Sequence, residues 1–189
     1  MAAIDMKESI LDAAERVVSE KGLADTTVDD IALAAGITRE GLYYHFPTRN
    51  DMLSCAVDRY ERRLLSMRGT LMTTMPHRPS SLLKATAVAI MSLPNLRNDV
   101  VVTLVGMLNE PEIRAKIADL KRRLFAGVCR TLPRSDQVAM VMMLLDGLWL
   151  ARMSTPPLYP EHCVKKIYAD LLEYIDMLSE DGWHGRSYG

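Results

Sequence analysis

Aromatic residues make up 6% of the chain, with only two tryptophans and two phenylalanines. The core must therefore be filled by Leu, Ala, Val and Met, which favours helices. Cysteine is equally scarce. Cys55, Cys129 and Cys163 are odd in number, far apart and outside any CxxC spacing. Neither a disulfide framework nor a zinc site is indicated, and buried free thiols in a reducing cytoplasm fit. No charge of one sign predominates: the net charge is −1. Bulk electrostatics thus give no sign of nucleic acid. Residues 1–35 are even acidic, with Asp5, Glu8, Asp12, Glu15, Glu20, Asp25, Asp29 and Asp30 against Lys7, Arg16 and Lys21. That balance argues against a non-specific DNA coat, although a groove reader needs only a local patch. The longest apolar run, Val138 to Leu145, is far short of the ~20 residues of a membrane span. With no basic-then-apolar leader, a soluble intracellular protein is expected. A glycine-rich phosphate loop, an HExxH pair and a nucleophile elbow are all missing, so the reading includes no enzyme activity, cofactor or metal.

What is present is concentrated between Thr26 and Arg49. Thr27 stands where an N-cap would stand, with Asp30 three residues on to complete a variant capping box. Val28, Ile31, Ala32 and Ala35 then share one face of a short helix. Gly36 can adopt φ > 0 and stop it, Ile37 plugs the corner, and Thr38 can cap a second helix. Leu42 and Phe46 give that second helix a buried side. Arg39, Glu40, Gly41, Tyr43, Tyr44 and His45 lie on or beside the open one, the face suited to a major groove. This is a helix-turn-helix pattern.

The run Thr-Val-Asp-Asp-Ile-Ala-x-x-Ala-Gly-Ile-Thr, followed by Gly-Leu-Tyr-Tyr-His-Phe-Pro-Thr-Arg-Asn-Asp-Met-Leu at 41–53, resembles the N-terminal DNA-binding domain of the TetR family of bacterial transcriptional repressors. The likeness is dense over roughly residues 5–55; beyond them only length and helical pattern agree. It implies an all-α fold of about nine helices. A three-helix domain at 1–48 would bind DNA, and a helical domain at 49–189 would bind ligand and dimerise.

The rest of the chain reads as further helices. Residues 4–21 carry Ile10, Ala14, Val17 and Val18 on one side, and Gly22 ends that segment. Thr48 and Asp51 form a second capping box, opening a helix of roughly 27 residues, about 40 Å long. Its seam is Leu53, Val57, Tyr60, Leu64, Met67, Leu71 and Met75. Arg59, Arg62, Arg63 and Arg68 read as its solvated face. A helix over 82–93 stops at Pro94. The three valines within 98–109 favour a strand by propensity, but with no partner strand nearby a helix is expected. Glu110-Pro111-Glu112 opens a helix with the seam Ile113, Ile117, Leu120, Leu124 and Val128, closed by Pro133. Ser135-Asp136 opens the most apolar helix, and a final amphipathic one carries Val164, Ile167, Leu171, Tyr174, Ile175 and Leu178.

The resemblance assigns roles to residues. Arg39 and the next two positions would face base edges, Arg39 with a donor fork suited to guanine. Glu40 would accept from cytosine N4 or pair with Arg39. Gly41, costly inside a helix, would let backbone lie against DNA or allow close helix packing. Thr27, Thr38, Tyr43, His45 and Arg49 would contact phosphate, and Tyr44 a thymine methyl or a sugar. The last two helices would pair across a two-fold axis through Leu144, Leu148, Ile167, Leu171, Tyr174 and Leu178, giving a homodimer that reads an inverted-repeat operator. The surplus apolar surface on 138–150 and 164–178 independently calls for a partner. Met67, Met91, Met107, Phe125, Met142, Met143 and Trp149 would enclose a small hydrophobic inducer, or serve as core filler. Release of a repressor by that inducer is the function implied, with an activator possible in the same class. Two rivals from other classes are a helical protein-interaction adaptor without DNA binding and an all-helical enzyme.

Overall fold

A computed structural model describes residues 5–22, 25–92, 110–153 and 157–179. The expected helix over 98–109 lies outside them. Among the described residues there are eight helices and no strand: α1 (Met6–Lys21), α2 (Val28–Ala35), α3 (Arg39–His45), α4 (Arg49–Thr74), α5 (Ser81–Ser92), α6 (Pro111–Thr131), α7 (Ser135–Met153) and α8 (Glu161–Met177). None is long and apolar enough to cross a membrane. The helices fall into two compact units. One comprises the described residues up to Arg62 together with 110–120; the other comprises 63–92 and 121–179. α4 and α6 each contribute to both.

In the first unit the expected caps form. The Thr27 side chain accepts from the Asp30 N–H while the Asp30 carboxylate accepts from the Thr27 N–H, and Gly36 ends α2 in the left-handed region at φ 69°. Thr48 and Asp51 repeat the arrangement at the start of α4, with N–H···O distances of 2.9 and 3.1 Å. Ile10, Leu11, Ile31, Ala32, Leu42, Phe46 and Ala56 form the core that α1–α4 share. A second cluster joins Leu53 and Val57 of α4 to Ile113 and Ile117 of α6. Around it, Asn50 donates to Glu110 at 3.1 Å and Lys116 pairs with Asp58 at 2.7 Å.

One expectation is corrected here. Arg59 is not on a solvated face: it is 2% exposed. Its guanidinium donates to Asp12 at 2.7 Å, to Glu8 and, in a very short contact, to Glu15. Arg62 adds a second cation on Glu8. The three acids of α1 share one face at helical spacing, and they fasten the start of α4 to α1 by charge as well as by packing.

In the second unit α5, α7 and α8 pack on one another. Leu83, Ala87 and Ile90 of α5, Val138, Val141 and Leu145 of α7, and Leu171 and Ile175 of α8 are buried. Arg152 donates to the Met91 carbonyl at 2.6 Å, satisfying an orphan acceptor at the end of α5. Lys84 pairs with Asp176. α7 is apolar all round, but in the single chain only one stripe of it is covered. Met140, Met143, Leu144 and Leu150 stay exposed, Met143 at 67%.

Candidate nucleic-acid interface

The helix-turn-helix is built from α2 and α3. Leu42 and Phe46 anchor α3 against the core, each 2% exposed, which fixes the rotation of the helix and turns its other side outward. Thr38 caps α3 by accepting from the Gly41 N–H at 3.1 Å. Its own hydroxyl proton stays free for a phosphate oxygen. Thr27 differs, because its hydroxyl donates to Asp30 at 2.7 Å, and so does Thr48, which donates to Asp51 at 2.7 Å. A phosphate at either of those two must compete with a carboxylate.

The outward face of α3 carries Arg39, Glu40, Tyr43 and Tyr44, all exposed, with Gly41 and His45 half-buried beside them and Arg49 exposed at the start of α4. Tyr44 is 82% exposed; its ring meets the edge of His45 at 5.1 Å. An aromatic side chain left so open on a helix fixed from behind is suited to a partner surface. A Cβ placed on Gly41 would meet Thr38 Oγ1 at 3.4 Å and Ile37 Cβ at 3.7 Å. Those are ordinary contacts, so packing within the chain does not require glycine there.

Arg39 does not pair with Glu40. Its Nη1 donates to both carboxylate oxygens of Asp29, at 3.3 and 3.2 Å, and its guanidinium lies 5.6 Å from the centre of the Tyr43 ring. Sequence reasoning missed Asp29 because the pair is ten positions apart on two helices. Lys21 donates to Asp30 at 2.5 Å, and with the capping bonds to Thr27 it holds the Asp30 carboxyl down to about 2 from its ordinary 3.8.

The described residues among those assigned to ligand and dimer contacts lie in the second unit. Met91 is buried, Met67, Phe125, Met142 and Trp149 are half-buried, Met143 is exposed, and Met107 lies outside the described residues. The indole Nε1 of Trp149 is buried without a hydrogen-bond partner among the described residues. Of the dimer set, Leu148, Leu171 and Leu178 are buried within the chain itself and Tyr174 is half-buried. Leu144 and Ile167 are exposed. A cleft of about 180 Å³ lies in the first unit, where Leu11, Ile31, Leu42, Phe46 and Arg59 contribute to its wall; no residue of the ligand set lines it. Burial raises the Cys129 thiol above its ordinary value, which disfavours the reactive thiolate. No group of three or more His, Cys, Asp or Glu able to hold a metal occurs among the described residues.

Comparison with known proteins bears on this geometry. Residues 10–54 match the family model described as bacterial regulatory proteins, tetR family. The transcriptional regulator AcrR of Shigella flexneri is 29% identical over 89 residues, 47% of this chain and 41% of that protein. The chain thus spans less than half the length of this curated relative. BetI of Serratia proteamaculans, also a transcriptional regulator, is 25% identical over 160 residues, 76% of this chain and 79% of that protein. Among solved structures, a putative transcriptional regulator from Saccharomonospora viridis in complex with choline superposes with a TM-score of 0.74 at 18% identity, covering 92% of this chain and 97% of that one. That likeness shows a shared fold. Residues 10–54 thus match the tetR family of bacterial regulatory proteins, and the helical fold that carries them is shared with solved transcriptional regulators.

Proposed function

We propose that this protein is a ligand-responsive transcriptional regulator, a repressor that binds an inverted-repeat operator as a homodimer and leaves it when a small molecule binds. The observation that carries the reading is the outward face of α3. Arg39, Glu40, Tyr43 and Tyr44 stand exposed on a helix whose opposite side is locked by Leu42 and Phe46. Arg39 has the donor fork for guanine O6 and N7, and Gly41 lets backbone approach closely. Tyr43, His45, Thr38 and Arg49, with Thr27, would set register on phosphate.

One helix of this length reads few base pairs, so two copies about 34–36 Å apart would be needed for a specific site. The exposed apolar residues Met140, Met143, Leu144, Leu150 and Ile167 of α7 and α8 supply a surface for that pairing. The domain boundary that this reading uses is 1–48 for DNA and 49–189 for ligand and dimerisation. Within the second part, the Trp149 N–H, buried with no partner among the described residues, asks for an acceptor that a bound small molecule could provide. The choline complex of the Saccharomonospora protein supports a ligand role for this fold. Ligand would act by favouring the state that cannot span both half-sites; equal affinity for both states would shift nothing. α4 begins beside the recognition helix and runs unbroken to Thr74, which makes it the natural mechanical link.

The test is selection from a random duplex pool at moderate salt, followed by sequencing of the retained DNA. Recovery of an inverted repeat supports the reading. Folded protein that retains no common motif, with or without added candidate ligands, would favour an adaptor whose helix-turn-helix only packs.

A further inference from the structure

We infer that Asp29 is a specificity-determining positioning residue, one that touches no base and acts by holding Arg39; the inference rests on the DNA-binding reading above. Two features of the site carry it. The Asp29 carboxylate takes both of its contacts from Nη1 of Arg39. The guanidinium also lies against the Tyr43 ring. Held from α2 on one side and by the ring on the other, the guanidinium is restricted in the directions it can present to a base pair. A bidentate contact to guanine needs such a restriction, since a guanidinium free to swing loses rotamer freedom on binding and can settle on a phosphate instead.

Electrostatics point the same way. Asp29 is an acid in the first turn of α2, two residues after the proposed phosphate contact Thr27, and its side chain is 65% exposed. An unbalanced carboxylate there repels the DNA backbone. An exposed ion pair of this kind adds little to folding, so beyond a modest helix N-terminal effect neither stability nor non-specific affinity accounts for it. Orientation of Arg39 does. Asp29 therefore lowers affinity for all DNA while raising discrimination at the base pair that Arg39 reads.

The experiment is random-pool selection and titration of matched, singly mismatched and scrambled duplexes with the full chain, using wild type, Asp29→Asn, Asp29→Glu, Arg39→Ala and the Asp29→Asn/Arg39→Ala double variant. Arg39→Ala should flatten the preference at one position per half-site. Asp29→Asn should reduce discrimination at that same position on the order of tenfold, within the range a bidentate pair supplies. It should also tighten binding to scrambled duplex and steepen the salt dependence by up to about one unit. The double variant should discriminate no worse than Arg39→Ala alone, and Asp29→Glu should recover part of the loss. A purely structural Asp29, acting as a helix N-terminal charge, would change melting temperature and leave base preference alone. Retained discrimination in Asp29→Asn, with wild type selecting a clear motif, overturns this inference and leaves the DNA-binding reading intact. A wild-type protein that selects no motif overturns both.

Discussion

The two units hold their helices by different means. In the first, polar side chains set positions: two Thr–Asp capping boxes, the Arg59 cluster that ties α4 to α1, and the Asp29–Arg39 pair between α2 and α3. In the second, α5, α7 and α8 meet through buried apolar side chains, with Arg152 on the Met91 carbonyl and Lys84 on Asp176 as polar ties, and one side of α7 is left uncovered. Directional bonds specify one arrangement, whereas Leu, Met and Val of similar volume tolerate many. The first unit is thus suited to a fixed reading geometry. The second is more tolerant of repacking, which is what the proposed ligand and dimer roles would require.

The largest expected effect breaks the polar side of this contrast. Arg59→Ala removes a buried cation on which Asp12 and the buried Glu15 converge. It should cost about 3 kcal/mol in chemical denaturation; a cost under 1 kcal/mol would show that packing alone positions α4. Next come the proposed DNA contacts. Arg39→Ala should weaken specific binding by about 1–3 kcal/mol and relax one base pair per half-site. Arg49→Ala should weaken binding to every sequence and reduce the salt slope by about one unit, and an unaltered slope would remove it from the phosphate set. Gly41→Ala should stabilise the free protein by up to about 1 kcal/mol, because the chain leaves room for the methyl. The same change should weaken operator binding, which titration against a specific duplex would reveal.

Smaller effects sharpen the apolar side. Met143→Glu should change the stability of the folded monomer by no more than about 0.5 kcal/mol, since the residue is exposed. Under sedimentation, however, it should shift the protein towards monomer, and an unchanged assembly would place the interface elsewhere. The smallest is a pH effect at Asp30. Its folded-state value of about 2 lies below the ordinary 3.8, so its contribution is fully present above 3.8 and is lost as pH falls through about 2. The stability difference between wild type and Asp30→Asn should narrow across that window in acid unfolding, and a constant difference would separate the capping box from the acid limb.

Legibility followed the same division. Caps and breakers act over three or four residues, so Thr27, Asp30, Gly36, Thr38, Thr48 and Asp51 could be placed from spacing, and the bounds of α2, α3 and α4 followed. The seam of α6 was equally plain, since Ile113, Ile117, Leu120, Leu124 and Val128 recur with the helical period and all are buried. Arg59 was misread because a cation on a helix looks solvated unless the acids opposite it are known, and those acids lie more than 40 positions away. For Leu148, Leu171 and Leu178, an apolar residue facing its own chain and one facing a partner have the same sequence signature.

The amino-acid sequence by itself determined the helices, their caps, and the recognition face with Arg39, Glu40, Gly41, Tyr43 and Tyr44 on or beside it, because each depends on neighbours within a turn or two. Only the tertiary structure decided which charges meet across helices: Arg59 with Glu8, Asp12 and Glu15, and Arg39 with Asp29 rather than Glu40. It also decided which apolar residues of α7 remain outside the chain's own core. The reason is physical: ion pairing and burial depend on distance in space, and helices packed side by side bring together residues whose separation along the chain carries no periodic signal.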